Sequence, residues 1–381
     1  DCYRKVQLAE KEREMKLTEE TPFFFIYSVW TKNGEYREQV KRLVTDYDNY
    51  ISLKLAGDDA YLSEKMVGYP AELDEVYAES FEEQNNEWFS CVGDGIQECR
   101  NTWEHKKWNI TDFPEFELAI TIDRPELYYD FLQKDWTRFC HDYWKNNFLE
   151  HHTLSQKRVA RIYIGNQFCH NLFPRKKLLF QVLEKALENN LAVTLAFSYI
   201  RNHLLEEIDE LLQELEVWCQ SREKEAGKDQ EEIIVNDWAM PILLQGKPHL
   251  KPVLGVLLNK RRKDVRLPYK HGIGNHVDSL AENNLNCGFY QDYLKNTFDI
   301  QRFEFESCGY KVTIPDGHHS LHLPFFQTNT SQYCTLYAVC RYGDRGKQKL
   351  PENCPRYCNK KVFLYPKHLK MVGRYNSLFG Y

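Results

Sequence analysis

No stretch of this 381-residue chain approaches the roughly 18–20 consecutive apolar residues that a membrane-spanning helix needs. The opening DCYRKVQLAEKEREMKL lacks the apolar core of a secretion signal. The expectation is therefore a soluble, cytoplasmic protein with no membrane span. Also missing are a P-loop, a G-x-G-x-x-G turn, a G-x-S-x-G elbow and an H-E-x-x-H pair. Their absence removes the usual sequence grounds for nucleotide binding, serine-hydrolase and zinc-protease chemistry. HGIGN at 271–275 is only a glycine turn. Twelve cysteines are too few for a disulfide scaffold, and without a secretion signal disulfides are not expected.

What the chain does have is aromatic bulk, with 24 Tyr, 22 Phe and 8 Trp. That content suits a packed core and excludes wholesale disorder. The formal net charge of −6 is unevenly spread: residues 341–381 carry ten Lys/Arg against Asp344 and Glu352, or +8, which leaves −14 for residues 1–340. A basic tail of this kind suits RNA, an anionic substrate, an acidic partner or simply a solvated surface.

Two regions differ in texture. Residues 1–150 are acidic and read as an α+β region of unknown role, with strands at FFFIYSVW (Phe23–Trp30) and FELAITI (Phe116–Ile122). One long helix is expected from Pro125 to His152. The join is expected near residues 151–158. From Val159 strands and helices alternate: ARIYIG, then KKLLFQVLEKALENN with Leu179, Val182, Leu183, Ala186 and Leu187 on one face. LAVTLAFSYI, EEIIVND, KPVLGVLLN and QRFEFE follow as strands. Strands separated by helices imply right-handed crossovers and a parallel sheet. The expected architecture of residues 151–381 is α/β, a TIM-barrel-like parallel β/α domain, complete or incomplete.

Ligands of such folds gather at the carboxyl ends of the strands. Cys169, Asn236–Asp237–Trp238, Asn259–Lys260–Arg261, Glu304 and Glu306 all fall there. Asp237 is a candidate to accept a substrate proton and Asn236 to orient a ligand. Asn-Asp after a strand is also a good helix cap. NKRRKDVR supplies Arg261 and Arg266, and the tail supplies Arg345, as forks for an anionic group. Of the three histidines in PDGHHSLHLPF, His322 is the candidate for a structural or substrate-facing role, not for a metal ligand.

Four cysteines near the end, Cys334, Cys340, Cys354 and Cys358, follow the pattern C-x5-C-x13-C-x3-C. Zinc ribbons present tight C-x2-C knuckles, whereas wider spacing suits an iron–sulfur cluster. Spacing leaves cluster, zinc and structural thiols all open.

GNQFCHNLFPRK, IIVNDWAM, KPVLGVLLNKRRKDVR and SLHLPFFQTNTSQYCTLYAVC, followed by C-x13-C-x3-C, occur in this order. Together, over roughly Val159–Pro366, they resemble the peptidase U32 (collagenase-like) family, nearest its branch of dioxygen-independent iron–sulfur hydroxylases of anaerobic ubiquinone biosynthesis. Ala239 stands where that family typically has Gly. The resemblance implies a 4Fe–4S cluster and hydroxylation with prephenate as oxygen donor. A quinone precursor, another small molecule or RNA would be the substrate, with a paralogous partner in a heterodimer. It also implies Cys169, Cys340, Cys354 and Cys358 as cluster ligands, with Cys334 in reserve. The family's historical name implies a peptidase as the alternative, although no nucleophile–base pair is legible. A non-catalytic scaffold or electron-relay subunit is the third reading.

Overall fold

Seven parallel strands lie side by side in the order in which the chain makes them. The computed structural model describes residues 14–20, 25–58, 115–147, 149–226, 230–261, 281–308, 311–344, 353–364 and 371–380, with a few single positions between. The sheet runs β3 (Leu118–Ile122), β4 (Val159–Gly165), β5 (Ala192–Ala196), β6 (Glu231–Val235), β7 (Leu250–Leu254), β8 (Arg302–Glu306) and β9 (Ser320–His322). Every neighbouring pair is parallel. A doubly wound sheet would reverse its order partway. This one never does, and it stays open between β3 and β9 as a TIM-like half-barrel.

Side chains alternate across each strand, and that alternation sorts the chemistry. Ile120, Ile122, Ile162, Ile164, Val193, Leu195, Ile233, Val235, Phe303 and Phe305 form one apolar core on the convex face. Helices cover it: α2 (Pro125–Gln133) with Tyr128 and Phe131, α3 (Trp136–Asn146) with Phe139, and α4 (Lys176–Glu188) with Leu179, Val182 and Leu183. The long α5 (Leu205–Ala226) adds Leu212, Leu215 and Cys219. Two further helices, α6 (Ala239–Leu243) and α7 (Gly288–Phe298), complete the layer.

The concave face is different. Ala119, Tyr163, Ala196, Ile234 and Val253 form a thin apolar patch there. Beside it, one oxygen of Glu232 accepts from Arg161 Nη1 at 2.7 Å, from Thr194 Oγ1 at 2.7 Å and from Arg302 Nη1. Two guanidiniums on one carboxylate balance the charge that the half-barrel encloses.

An antiparallel hairpin of β1 (Glu14–Glu20) and β2 (Phe25–Trp30) leads into helix α1 (Gly34–Asp58). That helix packs on α7, where Tyr47 meets Phe289 edge-on at 5.6 Å. At the other end a four-stranded antiparallel sheet joins β10 (Phe326–Thr330), β13 (Ser377–Gly380), β12 (Met371–Arg374) and β11 (Phe363–Leu364). Helix α8 (Thr335–Tyr342) lies within this C-terminal unit.

Two expectations change. The region before residue 150 is not set apart throughout, because β3 pairs in parallel with β4 and buries Ile120 and Ile122 in the shared core. The single helix expected from Pro125 is two. Asp135 breaks it by accepting from Arg138 N at 2.9 Å and capping α3.

Phe131 is fully buried, with edge contacts to Trp136 and Phe139. Phe131→Ala is expected to cost about 3–5 kcal/mol in urea unfolding. Exposed Tyr129→Ala should change stability by no more than about 0.5 kcal/mol.

Candidate functional site at the carboxyl rim

At the carboxyl end of β4 the chain must turn sharply, and Gly165 does so at φ +114°. A Cβ there would sit 2.5 Å from the Ala196 carbonyl oxygen, so only glycine fits. Asn166 then accepts from the backbone N–H of Phe168 and of Cys169, both at 2.9 Å. This side-chain turn fixes the loop that carries Cys169.

Asn236 and Asp237 hold the rim together. Buried Asn236 donates from Nδ2 to the Phe197 carbonyl at 2.8 Å and accepts at Oδ1 from Leu257 N at 3.2 Å. It thereby ties the loops after β5 and β7 to the end of β6. Asp237 accepts from Ala239 N at 2.8 Å and Met240 N at 3.0 Å through Oδ1, and from Ile200 N through Oδ2. Both carboxylate oxygens are taken by backbone donors. The expected catalytic pair is a backbone fastener in this geometry, as the capping reading of Asn-Asp allowed. Neither residue lines the rim cavity.

That cavity, of about 300 Å³, lies at the carboxyl ends of the strands. Thr121, Tyr163, Gln167, Glu306 and His322 come from the sheet side, and Cys358, Arg374 and Tyr375 close it from the C-terminal unit. Phe168, Phe325 and Phe379 add aromatic walls. Asp123 also faces the cavity and accepts from the Tyr375 hydroxyl at 2.7 Å. Glu306 is paired with Lys263 Nζ at 2.5 Å and accepts from Gln327 N at 2.8 Å.

Below Glu306, fully buried Glu304 accepts at Oε1 from the Tyr163 hydroxyl at 2.9 Å and at Oε2 from His322 Nε2. Arg302 Nη2 reaches the Tyr163 oxygen at 3.2 Å and also bonds Ser320. Burial alone would raise the Glu304 carboxyl, but the charge and hydrogen bond of His322, with help from Arg302, hold it below the ordinary range. Burial alone would lower His322. Glu304 overcomes that, so the imidazole is raised.

The expected arginines do not converge on the cavity. Arg261 is buried and donates to the Glu306 carbonyl at 3.3 Å and to Cys308 Sγ at 2.7 Å. Arg266 and Arg345 lie outside the described residues. The guanidinium that does line the cavity is Arg374, which donates through Nε to the Cys358 carbonyl at 3.3 Å.

Cys169, Cys334, Cys354 and Cys358 are free thiols; Cys358 feels the charge of the other three, Cys334 that of Cys169 and Cys354, and Cys169 that of Cys354. Burial raises Cys169 to about 11 and both Cys334 and Cys358 to about 12, with the neighbouring thiols adding to each shift. Cys340 stands outside this set: burial raises it, and its charged neighbour is Lys361. The reason is the helix between them. Cys334 caps α8, and Cys340 is six residues on, roughly 9 Å along the axis and about 240° around it. Cys334, the reserve candidate, thus shares the electrostatic surroundings of Cys169, Cys354 and Cys358, whereas Cys340 packs against the same apolar cluster but has Lys361 as its charged neighbour. Among the described residues no three His, Cys, Asp or Glu side chains converge tightly enough for a single metal ion.

Tyr163, Arg302 and Arg374 had no place among the sequence candidates. A partial signal existed, since alternation in RIYI and RFEFE puts Arg161, Tyr163, Arg302, Glu304 and Glu306 on one face.

No family model, no curated protein and no solved structure matches the chain. Fold and rim define an α/β half-barrel with a part-polar cavity beside four gathered thiols.

The Glu304–His322 pair has a pH signature. A lowered carboxyl contributes stability above its ordinary value of 4.5, lost as pH falls through the folded value. A raised imidazole contributes stability below its ordinary 6.5, lost as pH rises through the folded value. The melting difference between wild type and His322→Leu should therefore be largest between 4.5 and 6.5. A loss of about 3 kcal/mol is expected, the low end for breaking a buried pair, because Tyr163 and Arg302 remain beside Glu304. A pH-independent difference would contradict the pairing.

Proposed function

We propose that this chain is an iron–sulfur enzyme of the dioxygen-independent hydroxylase type, acting in the cytoplasm on a small organic molecule at the carboxyl rim of the half-barrel. The observation that carries the reading is the gathering of four thiols, one from the loop after β4 and three from the C-terminal unit, beside the rim cavity. Their donor set fits the group. Four cysteine thiolates are the usual ligands of a 4Fe–4S cluster, and a cluster is larger than a single ion, so its ligands stand further apart. Buried thiols that raise one another's pKa are also a set that a cationic core would stabilise as thiolates.

By this reading Cys169, Cys334, Cys354 and Cys358 hold the cluster. When bound, such a cluster supplies one-electron chemistry to the adjoining cavity. The protein's own residues do the rest. Tyr337 N, which donates to Cys334 Sγ at 3.3 Å, and Asn171, whose backbone and side chain bond Cys169, favour the ionised sulfurs. Phe168 and Phe379, in edge contact at 4.9 Å, line the space between thiols and substrate and restrict water. Cys358 belongs to both the thiol set and the cavity wall.

The cavity volume is at the lower end for small-molecule sites, which favours a compact substrate. The oxygen donor would be organic, such as the prephenate that the U32 resemblance implies. No feature of the cavity favours the peptidase alternative, since its histidine bonds Glu304 and no hydroxyl or thiol.

Anaerobic purification followed by iron and sulfide quantification, with EPR of the reduced protein, tests the reading. Cys354→Ala and Cys334→Ala should each lose most of the iron. Cys340→Ala and the buried helix variant Cys219→Ala should retain it. Equal iron in all four variants, or none in the wild type, would remove the cluster from this protein.

A further inference from the structure

The Glu304–His322 pair is built as a proton-donating device, and the four thiols have no part in it. Glu304 is fully buried, whereas a quarter of the His322 side chain remains exposed where it lines the rim cavity. Among the described residues the ring is hydrogen-bonded through Nε2, to Glu304. Nδ1 bonds no described residue. The ring is further held edge-on against Tyr163 at 5.4 Å, and Tyr163 is anchored by Glu304, Ser320 and Arg302. One nitrogen is thus fixed by a buried carboxylate, on a ring that lines the cavity. A carboxylate that orients an imidazole and stabilises its protonated form is a recurring catalytic arrangement.

We propose that His322 is the proton donor of the rim cavity, passing the proton on Nδ1 to an oxygen atom of the bound molecule while Glu304 holds the ring through Nε2. The transfer breaks the Nδ1–H bond and forms an O–H bond on the ligand. The imidazole left behind is neutral and keeps its Nε2 proton. Glu304 stays ionised throughout, and water at the cavity mouth returns the proton. No oxidant or reductant is needed. The preferred ligand group is an anionic oxygen, and the inference holds whether or not the thiols bind a cluster.

The groups facing the ring are consistent with this role. Glu304 and Glu306 favour the charged imidazole, and Arg302 opposes it. Lys263 is paired with Glu306, which leaves Glu304 as the main counter-charge.

Benzoate is a suitable probe, small enough for the cavity and carrying one anionic oxygen pair. The measurement is a long-range proton–nitrogen correlation spectrum of the intact chain labelled with nitrogen-15 histidine. His322 is assigned by the signal missing in His322→Gln, or in His322→Phe should the first variant fail to fold. Below the ordinary histidine value of 6.5 both ring nitrogens of His322 should be protonated, and benzoate should shift Nδ1 and raise the titration midpoint of the ring. Removing the imidazole should weaken benzoate about ten- to a hundredfold, the range for one charge-assisted hydrogen bond. Glu304→Gln should drop the ring's titration below that of an ordinary histidine, because burial and Arg302 then act unopposed by that carboxylate. An Nδ1 without a proton below pH 6.5, an Nδ1 unmoved by benzoate, or equal benzoate affinity in wild type and variant would each overturn the proposal.

Discussion

Alternation along seven parallel strands is the constraint on which the rest of this structure depends. A strand places successive side chains on opposite faces, so a sequence such as RIYIG cannot bury Ile162 and Ile164 under helices without turning Arg161 and Tyr163 the other way. The same holds for RFEFE, where Phe303 and Phe305 face the helices while Arg302, Glu304 and Glu306 face inward. Helix packing on the convex side thereby forces charge into the concave side. That charge is tolerated because it is paired, Glu232 by two arginines and Glu304 by His322 and Tyr163.

Once the inner face is polar, the open end of the half-barrel becomes the natural place for chemistry. Loops leaving the carboxyl ends must be held apart to keep the cavity, and Asn236 does this from the centre. Gly255 is part of the same device, since a Cβ on it would lie 2.1 Å from Asn236 Oδ1. The residues that support the rim are therefore distinct from those that line it. Asn236 and Asp237 are fully engaged with backbone groups, whereas His322 and Glu306 present side chains to the space within.

The C-terminal unit turns an open rim into an enclosed one. Its small core of Leu172, Leu336, Cys358, Val362, Val372, Tyr375 and Phe379 packs directly on Phe168 and Cys169 from the loop after β4. Two parts of the chain about two hundred residues apart thus share one apolar cluster, which contains Cys358 and packs against Cys169, Cys334 and Cys340. Burial raises the pKa values of Cys169, Cys334 and Cys358. Any positive centre placed among them would reverse that shift.

Period-two and period-3.6 patterns alone determined that the chain from Val159 is α/β with a parallel sheet, because those periods come from local backbone geometry. They also marked the rim, since strand ends are visible in sequence, and they put Cys169 on it. By resemblance the sequence named Cys340 as a ligand and held Cys334 in reserve against Cys169. Only the phase of α8, which points Cys334 and Cys340 in different directions, sets Cys334 beside Cys169 and Cys354. Nor did NDW in the sequence say whether its side chains face substrate or backbone, or RIYI and RFEFE that Tyr163 and Glu304 meet across the concave face. Those outcomes depend on contacts between residues far apart in the chain, which only the closed tertiary structure creates.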